Sequence, residues 1–178
     1  MTITIDATVG GASANAFVTE VEQIAYMATR LNASTWTTVS GTTCTNTEKQ
    51  AMVEASRELS AMAWLGTRTD TTQFLSWPRF DVPDPDSPSG FLYSSAAIPQ
   101  RVKDATCELA FQFLKLGTED LAAADPNAGV IESTVDVLTT RWESVSSRPQ
   151  GLRRFTRMMR WIGPLLADQP GVLQLVRG

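Results

Sequence analysis

The chain has 178 residues, 43% of them hydrophobic and 19% charged, which suits one packed domain with an extension and excludes wholesale disorder. Its apolar runs are too short to cross a bilayer, and the absence of histidine removes the commonest general base and metal ligand. The formal charge of −4 is unevenly split: residues 1–140 carry 8 basic and 17 acidic side chains, and residues 141–178 carry 7 arginines and 2 acids. An acidic body with a basic tail predicts that the tail meets an anionic surface, of nucleic acid or of protein.

The first 14 or so residues are small and polar, broken by Gly10-Gly11, and read as a flexible arm or a short strand. They carry no basic, apolar leader, which predicts that the protein stays in the compartment where it is made. Thr19 is a candidate N-cap, with Glu20 and Glu22 in the first turn. Val21, Ile24, Ala25, Ala28 and Leu31 follow at helical spacing, predicting helix one over 19–31.

A Thr/Ser/Asn-rich loop holding Trp36 leads to Asn46 or Thr47 as the cap of helix two. Met52, Ala55, Leu59, Met62 and Ala63 make its apolar stripe, with Gly66 closing the segment. Residues 67–98 read as a long irregular loop, with Pro83–Gly90 at the surface. Its expected anchor is Trp77-Pro78-Arg79: proline biases Trp77 to an extended backbone, the indole lies flat on the helices, and Arg79 stacks nearby.

Pro99 suits the first position of helix three, over 99–116. Its stripe is Val102, Ala105, Leu109, Ala110, Phe113 and Leu116, and Gly117 follows as its cap. An acidic, Ala-rich stretch over 118–129 ends in a turn. Alternation then predicts one half-buried strand over 130–140, with Leu138 breaking the pattern. A single strand needs a partner.

Past Pro149–Gly151, the residues Leu152, Phe155, Met159 and Ile162 line one face of a fourth helix; Arg153, Arg154, Arg157 and Arg160 line the other. Gly163-Pro164 ends or kinks it. The last residues, Val172 to Val176, are apolar and strand-like, either closing on 130–140 or adding to a partner's sheet.

No catalytic constellation is present, so an enzyme is not expected, nor a cofactor. Glu54 and Glu58 beside Arg57 read as a solvated face. Asp81, Asp84 and Asp86 do not have calcium-loop spacing and read as a turn. Cys44 and Cys107 read as reduced thiols. The arginine face of helix four is either solvated or a contact for phosphate or an acidic protein.

Several motifs are shared with a known family. They are Ala14-Asn15-Ala16-Phe17-Val18, Ala25-Tyr26, Leu31, Trp36, Trp64-x-Gly66-x-Arg68, Gln73-x-Leu75-x-Trp77-Pro78-Arg79, Ile98-Pro99-x-x-Val102-Lys103-x-Ala105, and the final Arg177-Gly178. Over residues 10–116 the chain resembles the head–tail adaptors (connector, head-completion proteins) of tailed bacteriophages, many of which carry a DnaT-like single-stranded-DNA-binding label. Residues 118–171 depart most from the pattern.

The resemblance implies a structural virion protein, assembled in the bacterial host cytoplasm, that forms a ring under the portal and extends the DNA channel. Its implied partners are the portal protein, neighbouring copies in a dodecameric ring, a tail or stopper protein, and double-stranded DNA passing through the channel. The alternative is a single-stranded-DNA-binding protein.

The expected fold is mainly α: a small four-helix bundle with a long loop, one or two short β-strands and a C-terminal extension. It divides into a helical core over 1–117 and a strand, fourth helix and docking arm over 118–178. Val135, Val137, Arg153, Arg157, Arg160, Leu173, Leu175 and Arg177 are the expected portal or neighbour contacts.

Overall fold

A computed structural model describes residues 2–116, 132–135, 138–141 and 151–167. Within them the fold is small and mainly helical. The helices are α1 (Glu20–Thr29), α2 (Asn46–Ser60), α3 (Gln100–Leu116) and α4 (Thr156–Ile162). Four short strands form two antiparallel pairs: β1 (Thr67–Arg68) with β2 (Arg79–Phe80), and β3 (Glu132–Val135) with β4 (Leu138–Arg141). The expectations for Gly117, for 118–129 and for the apolar C-terminus fall outside the described residues.

Local chemistry fixes where α1 and α2 begin. Thr19 and Glu22 make a reciprocal capping box, and so do Thr45 and Glu48, each satisfying amides that a helix start leaves without partners. The cap of α2 is thus Thr45, one residue before the expected Asn46, and the helix ends at Ser60 rather than Ala63.

The N-terminal arm is neither a strand nor loose. Asn15 accepts from the Asp6 amide at 2.8 Å and donates to the Thr4 carbonyl at 2.9 Å. Behind it Ala14, Ala16, Phe17 and Val18 are buried, and the Phe17 amide donates to Ser56 Oγ at 3.2 Å. These contacts give the Ala-Asn-Ala-Phe-Val motif its structural content.

Helix α3 is the hub, with α2, α4 and α1 packed on it. Val102, Ala105, Leu109 and Ala110 are fully buried and Phe113 nearly so. Thr106 is equally buried, its hydroxyl donating to the Val102 carbonyl at 2.8 Å. Leu116, placed on the expected stripe, is exposed.

The buried face of α1 is not the expected one. Val21, Ala25, Ala28 and Leu31 face outward, and only Ile24 of that stripe is buried, joined by Gln23 and Met27. Polar side chains turn the helix. Gln23 donates to the Cys107 carbonyl at 3.3 Å, and Tyr26 and Arg30 reach Glu108. A buried polar group must be paired, so these bonds outweigh the exposure of Val21 and small alanines.

The long loop is stitched along its length. β1 and β2 pair Thr67 with Phe80 and Arg68 with Arg79, and an isolated bridge joins Pro83 to Leu92. The Trp77–Pro78 peptide is cis. Trp77 is 1% exposed and meets Trp64 edge-on, at 5.5 Å and 82°, instead of lying flat. Arg79 does not stack. It donates to the carbonyls of Leu65 (2.7 Å), Ser76 (3.2 Å), Trp64 (3.4 Å) and Gly66, gathering the carbonyls of the segment that follows α2 and of the turn before β2. At Gly66 the backbone has φ +68°, and a Cβ would sit 1.9 Å from the Phe80 carbonyl oxygen. Only glycine fits this approach.

The expected single strand over 130–140 is a hairpin. Val135 pairs with Leu138 and Glu132 with Arg141. Leu138, the break in the alternation, is the first residue of the returning strand. The fourth helix is also shorter than expected: a 3-10 turn (Gly151–Arg154) precedes it, and Phe155 interrupts the two with a non-helical backbone. Met158 and Ile162 are fully buried, whereas Leu152, Phe155 and Met159 are only half-buried. Gly163–Leu165 continues as a 3-10 turn, and Leu165 and Leu166 enter the core. A bridge from Leu166 to Trp64 and the Ala167 amide on the Ala63 carbonyl tie this end to the close of α2.

Candidate functional site

Two buried carboxylates organise the body from which any surface is displayed. Glu48, 2% exposed, accepts from the amides and hydroxyls of Thr37 and Thr38 and from the Thr45 amide, at 2.7–3.1 Å. Burial alone would raise its pKa; the bonds from Thr38 and Thr45 outweigh this and hold it at about 2. Glu108, 1% exposed, takes a bidentate fork from Arg30 at 2.8 and 2.7 Å. Tyr26 at 3.2 Å and Gln112 at 2.8 Å complete it. Arg30 also lies 3.8 Å over the Phe111 ring. Burial and the Glu108 carboxylate push the Tyr26 hydroxyl pKa well above its usual value.

The arginine face of α4 abuts this network. Arg157 lies 3.8 Å from Glu108 and 5.8 Å over the Trp161 ring, and Trp161 meets Tyr26 edge-on at 6.1 Å. Glu108 already has a full complement from Arg30, so the half-exposed Arg157 is only partly neutralised. Arg160 is exposed beside it, and Arg153 is half-buried in the preceding turn. Val135 ends β3, while Val137, Leu173, Leu175 and Arg177 lie outside the described residues. The structure thus gathers Arg157, Arg160 and Trp161 on one short helix.

Elsewhere on the body several cations are paired. Lys49 pairs with Glu20 at 3.1 Å, Lys103 with Glu22, and Arg101 with Asp86. Glu54 and Arg57 make an exposed pair at 3.5 Å. Cys44 and Cys107 are free and buried, and burial raises both thiol pKa values, Cys44 to about 12. Such thiols are poor nucleophiles.

Two surface features were not foreseen. Phe91 and Leu92 stand 71% and 55% exposed at the loop before α3. A groove of about 650 Å³ lies between α2, α3 and the N-terminal arm, its lining half apolar (Ile3, Ala51, Val53, Phe113 and Leu114) and half polar, with Glu54 and Arg57 in the polar half. The apolar residues were visible in the sequence, but nothing local marked them as exposed. Glu108 did leave a signal, being a charge set between Cys107 and the apolar run Leu109-Ala110-Phe111.

No curated protein and no solved structure is a match to this chain. A family model described as "Putative DnaT-like ssDNA binding protein" matches residues 1–178, and the chain belongs to that family.

Proposed function

We propose that this chain is a structural assembly protein of a virion, not an enzyme: an adaptor that forms a ring under the portal, joins capsid to tail and extends the DNA channel. The observation that carries this reading is how the described body distributes its side chains. Most of its cations are paired with carboxylates or held on carbonyls of the same chain. Large apolar residues stand outside: Leu31 81%, Phe91 71%, Phe74 57% and Leu92 55% exposed. Such a surface favours protein partners over polyphosphate, whose binding draws on free lysine and arginine.

The Trp77-Pro78-Arg79 and Ile98-Pro99 motifs, which resemble the phage adaptors, support the same reading. An acidic body also suits a channel wall past which DNA must slide, because like charge prevents sticking. The test is size-exclusion chromatography with the portal protein of the genome that encodes this chain. Co-elution in a stoichiometric complex is expected; a chain that elutes alone overturns the reading.

A second reading, single-stranded-DNA binding, is the one that the family description supports, and that description names no adaptor role. The arrangement favouring it is Arg157 over Trp161 with Arg160 exposed beside it, since bases stack on indole and guanidinium planes while cations meet the backbone. Fluorescence anisotropy with a labelled oligothymidine decides it. Binding that falls steeply with added salt supports it, and no binding at low salt removes it.

A further inference from the structure

The loop between β2 and α3 displays apolar side chains from a fixed base. Beneath Phe91 and Leu92, the Asp84 amide donates to the Phe91 carbonyl and the Tyr93 amide to the Val82 carbonyl, both at 2.9 Å. The Phe91 amide donates to Ser87 Oγ at 3.0 Å. Asp86 is held by Arg101 in the first turn of α3. Side chains presented this way lose little chain entropy when covered, so their exposure is a prepared surface rather than a frayed loop.

The groove between α2 and α3 lies at the other end of α3. Arg101 and Phe113 are 12 residues apart, about 18 Å along the helix. The groove's apolar half, made by Ile3, Ala51, Val53, Phe113 and Leu114, and its volume of about 650 Å³ can receive a phenyl and an isobutyl group together. Charge also matches. Asp84 and the Arg101-paired Asp86 lie beside Phe91, while the groove carries Glu54 and Arg57, and Lys115, which follows Leu114 on α3, leaves that side net positive. The Arg57 side chain is 60% exposed, and its pair with Glu54 is of the exposed kind that contributes little.

We infer that Phe91 and Leu92 of one copy seat in the α2–α3 groove of the next, with the loop aspartates facing Arg57 and Lys115. Tip and groove sit at opposite ends of one helix, so the contact is head-to-tail and repeats from copy to copy, as a closing ring requires. The inference rests on the ring-forming reading and names the contact that would build the ring.

The test is sedimentation velocity of the full chain over a wide concentration range, with Phe91→Asp blocking the tip and Val53→Asp blocking the groove. Wild type is expected to assemble beyond dimers. Each variant alone is expected to stay monomeric, with self-association weakened at least tenfold. An equimolar mixture of the two should give one-to-one dimers and nothing larger, because each pair keeps one intact tip and one intact groove. Should either variant lose its helical signal, Leu92→Ser and Gln50→Trp replace them.

A wild type that stays monomeric throughout, or variants that assemble like it, overturns the inference. Rings of Phe91→Asp formed on portal as readily as wild type overturn it too, while leaving the adaptor reading standing. Wild type that assembles through this contact yet ignores the portal does the reverse.

Discussion

Acid should loosen the loop over α2 through one carboxylate. Glu48 is held at a pKa of about 2 against an ordinary 4.5, so its ionised form stabilises the fold. That contribution is complete above the unfolded value and is lost as pH falls from about 4.5 towards 2. Glu48→Gln should remove this acid-sensitive component and cost on the order of 2–4 kcal/mol at neutral pH, read by urea unfolding at several pH values. Glu108→Ala should cost about 3–5 kcal/mol by the same measurement, because it leaves the buried Arg30 guanidinium without its carboxylate. Gly66→Ala should cost at least about 2 kcal/mol, since it adds a left-handed strain to a clash with the Phe80 carbonyl. A smaller loss would mean that β1 and β2 separate easily.

At the scale of elements, what was legible in the sequence was what local chemistry decides. Thr19 and Glu22 mark the start of α1 within four residues, and the apolar period of α3 survives because its neighbours are themselves apolar. The buried face of α1 was not legible, because Gln23, Tyr26 and Arg30 answer to Cys107 and Glu108, some 80 residues away. Strands of two residues such as β1 and β2 are too short to show a period. The pairing of β3 with β4 left Leu138 as its one trace in the alternation. Of the expected contact residues, Arg157 and Arg160 could be read from helical spacing. The groove could not, since it exists only where α2, α3 and the N-terminal arm meet. Helix α4, at seven residues, is too short to persist alone and depends on its packing. Ile162→Ala should therefore cost about 2–5 kcal/mol in thermal or chemical unfolding, with the α1–α3 body the last part to melt.

Across the whole molecule, charge is segregated and apolar surface is left at the rim of the body. On the proposed reading, the acidic body and the arginine-rich end meet opposite signs on a neighbour or a portal, and the proposed tip-and-groove contact gives that meeting a direction. Deleting residues 172–178 should abolish portal docking while leaving the helical circular-dichroism signal intact; retained docking would place the portal contact elsewhere. The most direct measurement is electron-microscopic imaging of the purified chain mixed with its portal. The account predicts a ring of this protein stacked on one face of each portal, with a central channel. Portals that remain bare, beside a chain that instead coats single-stranded DNA, would contradict it.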